Sequence, residues 1–238
     1  MFYYYCDIYG IVVFQDAVNN GKYDFIRDTA LPTLGFKKSK RKHPTQITKA
    51  YFEECAKGMI EALHTHPSVC YYTIFNEGWG QYDATRVYKE LKQLDGSRVF
   101  DTASGWFNKC ESDVVSEHIY FKPIKIKGTA PDKPLVLSEF GGYSYKIPKH
   151  SFNLQKTFGY KKCATAEIFQ KDLVDLYAKQ VLPAVSYGLN ATVLTQLSDV
   201  EDETNGIITY DRQVVKLSDG ALLGIFKEIK AEFEKVSQ

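Results

Sequence analysis

Short apolar runs alternating with helical periods constrain the fold of this 238-residue chain more than any other feature. Residues 11–14, 69–75, 99–100, 114–120, 135–137 and 191–194 are rich in β-branched and aromatic side chains, with turn or polar residues at their ends. They predict about six buried strands. Between them Phe52, Cys55, Met59 and Leu63 recur every three or four residues, and so do Ala84, Val87, Leu91 and Leu94. Longer helical patterns carry Ile168, Phe169, Leu173, Leu176, Tyr177, Val181 and Ala184, and then Leu222, Leu223, Phe226, Ile229 and Phe233. Strand and helix in alternation predict parallel βα units, an α/β fold. Phe2, Tyr5, Cys6 and Tyr9 suit the last turns of a helix that Gly10 stops, so the chain reads as starting in the middle of a fold. At this length one domain over residues 1–238 is expected.

Composition removes several function classes. Apolar residues at 44% and charged residues at 25% exclude a disordered or fibrous chain. A formal net charge of +1 gives no overall attraction to polyanions. Lys37, Lys38, Lys40, Arg41 and Lys42 form a local basic run, but Ser39, His43 and Pro44 supply neither interleaved aromatics nor a recognition helix. That run reads as a solvated loop, and no nucleic-acid partner is expected. The five cysteines Cys6, Cys55, Cys70, Cys110 and Cys163 are odd in number, scattered and without a CxxC pair, so neither a disulfide framework nor a zinc site is signalled. No signal-peptide pattern opens the chain and no apolar run reaches membrane-spanning length, which leaves no membrane partner and an unassigned compartment for a soluble chain.

The chemistry concentrates in two stretches with the same grammar. Phe75-Asn76-Glu77-Gly78-Trp79-Gly80-Gln81 follows the apolar run 69–74, and Leu135-Val136-Leu137-Ser138-Glu139-Phe140-Gly141-Gly142 likewise runs a strand into a glutamate and then glycines. Parallel α/β architectures hold their active sites at the carboxyl ends of the strands, so both glutamates are expected on one rim. Each alone reads as well as a strand-end cap or ion-pair partner. Matching contexts favour a working pair, since glycosidic cleavage needs one carboxyl to protonate the leaving oxygen and another to attack or stabilise the anomeric carbon.

On these residues the chain resembles glycoside hydrolase family 2, the β-galactosidase and β-glucuronidase family, within the clan of TIM-barrel retaining glycosidases. The likeness extends through Ala103-Ser104-Gly105-Trp106, Thr195-Gln196-Leu197-Ser198-Asp199-Val200-Glu201 and Asn205-Gly206-Ile207-Ile208-Thr209-Tyr210-Asp211-Arg212, which are similar to a bacterial branch of family 2-like hydrolases. The resemblance implies a TIM (β/α)8 barrel, retention of configuration by double displacement, no cofactor, and a carbohydrate substrate that is β-linked. It implies Glu77 as acid/base, Asn76 as contact to the sugar 2-hydroxyl, and Glu139 as nucleophile. Tyr120, at the end of the sixth strand by family order, takes the tyrosine position that hydrogen-bonds the nucleophile.

The remaining rim residues admit two readings each. His118 is a sugar contact or a histidine satisfied within the core. Trp79 and Trp106, the chain's two tryptophans, lie beyond predicted strand ends in glycine-containing turns, where they stack on sugar rings or pack in the core. Asp16 and Gln196, at the ends of the first and last predicted strands, contact substrate or make structural hydrogen bonds. Asp199, Glu201, Asp202 and Glu203 lack the spacing and glycine of a calcium loop, so no metal is expected there and the loop reads as solvated or substrate-facing.

A complete barrel has eight strands. The first predicted strand matches the family's third, so the expectation is a barrel truncated at its amino-terminal side, strands three to eight, with no preceding β-sandwich domains. Open parallel edges favour association, which makes a homodimer across the gap an expectation. The alternative function is a catalytically incompetent carbohydrate-binding or scaffold fragment; a metal-dependent hydrolase with paired glutamates ranks third.

Overall fold

The computed structural model describes residues 1–18, 26, 31, 45–108, 110–126 and 132–237. The basic run at 37–42 lies outside them. The chain forms two compact units, Met1–His118 and Ile119–Gln238.

In the first unit, helix α1 (Phe2–Tyr9) stops at Gly10, whose φ of 66° reverses the chain in a conformation glycine adopts without cost. Strand β1 (Val13–Asp16) begins two residues later than the apolar pattern suggested. Ile11 and Val12 are spent on leaving the helix cap and stay exposed. Helix α2 (Gln46–Leu63) opens with Thr45, whose side-chain oxygen accepts the Thr48 N–H at 3.2 Å. Strand β2 (Val69–Phe75), helix α3 (Ala84–Leu94), strand β3 (Val99–Ala103) and strand β4 (Val115–Ile119) follow.

β1, β2 and β3 pair in that order and in parallel. Their outer face packs on the helices. Phe52 and Ile60 of α2 and Val87 and Leu91 of α3 join Tyr72, Ile74, Phe75 and Phe100 in one buried cluster. The other face is polar in one row, because the register sets Thr73 beside both Asp16 and Asp101. One row back, Phe14 stacks on Tyr71 at 4.0 Å.

In the second unit, strand β5 (Leu135–Gly141) pairs in parallel with strand β8 (Leu189–Thr195). The long segment after β5 contains two strands of two residues, β6 (Tyr143–Ser144) and β7 (Lys161–Lys162), which pair with each other. Helix α4 (Ala166–Leu176) starts at Thr165, which accepts the Ile168 N–H. It continues through a wider turn at Tyr177–Val181 into helix α5 (Leu182–Val185). The last helix, α6 (Leu223–Val236), follows β8. Phe140, Phe169, Leu173 and Val181 are buried among these elements. No helix of the described residues is long and apolar enough to cross a membrane.

Candidate active site

Glu77 lies immediately past the end of β2 in a tight turn, Asn76–Gly78. Its own backbone is left-handed, with φ 51° and ψ 16°, and Gly78 follows with φ 64°. A β-bearing residue held there costs of order 1 kcal/mol or more, which the surroundings must over-determine. They do so through Ser104 at the end of β3. Its hydroxyl oxygen accepts the Glu77 N–H at 3.1 Å and its hydroxyl donates to Asn76 Oδ1 at 2.7 Å. Ser104 was not singled out from the sequence beyond its place in the Ala103–Trp106 motif.

Glu77 is buried, and its Oε1 lies 3.3 Å from Nδ1 of His118 near the end of β4. The His118 side chain is only 1% exposed. Gly105 explains how an imidazole fits so tightly, since a Cβ at that glycine would overlap the His118 ring, and its φ of 66° disfavours any other residue. The Trp106 ring meets His118 edge-on at 5.9 Å. A buried carboxyl beside an imidazole can hold and exchange a proton. Trp79 and Trp106 are both half-buried, and the Trp79 N–H closes the turn onto the Asn76 carbonyl at 2.9 Å.

Behind this group sits the polar row. Asp101 is buried and accepts the Tyr71 hydroxyl at 2.9 Å. Burial pushes its carboxyl up to about 6, donors from Ser116 and Tyr71 hold it down in part, and the charge of Asp16 raises it further. Asp16 keeps an exposed surface, yet the atoms crowding its carboxyl raise its pKa, against the Thr73 hydroxyl and the nearby His118. Burial of Tyr71 and the charge of Asp101 keep that phenol protonated.

In the second unit Glu139 lies on β5, half-buried, with Gly141 and Gly142 both at positive φ behind it. The Tyr120 hydroxyl donates to Glu139 Oε2 and also contacts Thr195 Oγ1 at 2.9 Å. Burial, and then the charge of Glu139, raise the Tyr120 phenol strongly, so it stays a donor. A carboxylate fixed by a phenol donor and still partly accessible can act as a nucleophile. Thr195, like Ser104, was marked in the sequence only by its place in a motif and was given no role of its own.

Gln196, next after β8, follows a cis Thr195–Gln196 peptide. Its amide donates to Glu203 Oε2 at 2.9 Å and Asn205 Oδ1 at 2.7 Å. The acidic loop departs from the solvated reading at Asp199, which is buried against Lys216 Nζ at 2.7 Å. Lys216 also donates to the Thr204 carbonyl and Asp199 accepts the Gly206 N–H, so this pair holds the loop together.

A search of curated proteins finds no match. Among solved structures, a β-glucuronidase from Parabacteroides merdae aligns over 88% of this chain and 31% of its own, at 15% identity and a TM-score of 0.57. A GH2 β-galacturonidase from Eisenbergiella tayi aligns over 97% and 42% respectively, at 18% identity and a TM-score of 0.53. At such identities the likeness concerns the fold, and the chain spans less than half the length of either structure. The family model described as "Glycosyl hydrolases family 2, TIM barrel domain" matches residues 1–218. The chain therefore belongs to glycosyl hydrolase family 2, through the family's TIM-barrel domain.

Proposed function

We propose that the protein is a retaining β-glycosidase that works by double displacement, with Glu77 as acid/base and Glu139 as nucleophile. Glu77 protonates the departing glycosidic oxygen while Glu139 attacks the anomeric carbon to form a glycosyl ester. Water activated by Glu77 then releases the sugar. The observation that carries this reading is the hydrogen bond from Tyr120 to Glu139, because it requires Oε2 to be an acceptor and aims the carboxylate. The burial of Glu77 and its contact with His118 suit the complementary role. Asn76, Trp79, Trp106, Asp16 and Gln196 complete the sugar contacts in this reading, and His118 reaches the sugar through its neighbour Glu77 or directly.

The substrate class follows less directly. A β-glucuronidase and a β-galacturonidase are among the similar structures, so aryl β-D-glucuronides and β-D-galacturonides head the panel to test, with the galactoside and glucoside beside them. Proton NMR of the first-formed sugar tests the mechanism. Retention predicts that the β-hemiacetal appears first and then mutarotates; an α-hemiacetal appearing first overturns double displacement.

A further inference from the structure

Behind Glu139 the second unit holds an aromatic stack that the proposed mechanism does not yet use. The Tyr160 ring lies 3.8 Å from the Tyr120 ring, with only 10° between their planes. Phe121 and Phe158 close on Tyr160 edge-on, at 4.8 and 5.5 Å. Tyr160 belongs to the segment between β6 and β7, and that segment is tied down by its backbone. The Tyr160 N–H donates to the Gly142 carbonyl at 2.9 Å, and the Gly142 N–H donates to the Thr195 carbonyl at 2.9 Å. The Phe158 N–H and carbonyl are both engaged as well, with Asp202 at 2.7 Å and Thr204 at 3.1 Å.

Gly142 is what lets the ring in. A Cβ at that position would overlap the edge of Tyr160 and lie 3.3 Å from Cδ1 of Tyr120, and its φ of 62° is one that other residues rarely adopt. The glycine pair after Glu139 thus has a specific task at its second member. Three residues beyond the carboxylate, it leaves room for the two rings to lie face to face.

A tyrosine hydroxyl sits at the far end of a rigid ring, so a small rotation about χ1 carries it beyond hydrogen-bonding range. Tyr120 has one ring face covered by Tyr160 and its hydroxyl shared between Glu139 and Thr195. We propose that Tyr160 is a positioning residue, whose stacked ring fixes the Tyr120 phenol that aims Glu139. The inference rests on the reading of Glu139 as nucleophile. In this scheme Tyr160 acts through Tyr120, by the flat ring that covers one face of the phenol.

The test compares Tyr160→Leu, which removes the flat ring, with Tyr160→Phe, which keeps it, using protein labelled with 13C at tyrosine Cζ. The Tyr120 resonance is identified by its loss in Tyr120→Phe. Tyr160→Leu should shift or broaden that resonance, and Tyr160→Phe should leave it near its wild-type position. With the 4-nitrophenyl β-glycoside that the wild type hydrolyses, Tyr160→Leu should lower kcat tenfold or more with KM within about twofold, as expected for lost alignment rather than lost binding. Tyr160→Phe should restore most of that rate. An unchanged Tyr120 resonance in Tyr160→Leu, a kcat within twofold of wild type, or a Phe variant as impaired as the Leu variant would each overturn the proposal. If Tyr160→Leu fails to fold, Tyr160→His retains a flat ring and must retain the resonance. The labelled resonance is read without substrate, so it judges the stack even if Glu139→Gly keeps full activity and the nucleophile reading falls.

Discussion

Glu77 and Glu139 are legible in the sequence because each follows an apolar run and is itself followed within two residues by glycine. The residues that hold them are not. Ser104 orders Asn76 and Glu77, and Thr195 shares the Tyr120 hydroxyl, yet a serine or threonine at a strand end is too common to mark. The buried carboxyl of Asp101 is equally silent in sequence, and it yields a pH prediction. Its pKa in the folded chain is about 6, above its ordinary value of 3.8. The folded chain therefore holds this proton more tightly than the unfolded chain, so the associated stability is complete below about pH 4 and is lost as pH rises to about 6, roughly 3 kcal/mol in total. Asp101→Asn has nothing to ionise there. Urea unfolding should show the variant gaining on the wild type between pH 4 and pH 7.5, whereas a difference independent of pH would place the ionisation elsewhere.

At the scale of elements, strands β2, β3, β4, β5 and β8 fall where the apolar runs lie, and the clearest is β2, buried at all but one position and written as an almost unbroken apolar stretch. β1 slipped by two residues because the run 11–14 begins in the helix exit. β6 and β7 escaped notice, since two-residue strands made of Tyr, Ser and Lys have no apolar period to display. The wide turn at Tyr177–Val181 was also hidden, as its residues continue the helical spacing of α4. The loop after β8 depends on Asp199, which the sequence placed in a solvated or substrate-facing loop, and on its buried partner Lys216. Lys216→Met would leave the Asp199 carboxylate buried without its cation, at a cost of about 3–5 kcal/mol measured by urea unfolding. Replacing both partners, Lys216→Met with Asp199→Leu, should recover much of that loss, and a double variant no better than the single one would contradict the pairing as the cause. At the start of α4, Thr165→Ala removes the oxygen that caps Ile168 N–H and should cost about 1 kcal/mol in the same assay.

For the whole molecule, alternation of strands and helices led to parallel βα units, and the parallel pairs β1–β2, β2–β3 and β5–β8 are the physical form of that pattern. The family match over residues 1–218 gives those units their context as a TIM-barrel domain. The division into two compact units at His118 had no counterpart in composition, because it falls inside β4 rather than in a linker of glycine, proline or serine. The proposed chemistry turns on one carboxylate, Glu139. Replacing Glu139 with glycine and assaying an activated aryl β-glycoside, without and with azide, tests it. The nucleophile assignment predicts that turnover is lost and that azide restores it, entering the vacated space to give the α-glycosyl azide. A Glu139→Gly protein that hydrolyses the glycoside at the wild-type rate without azide would contradict it.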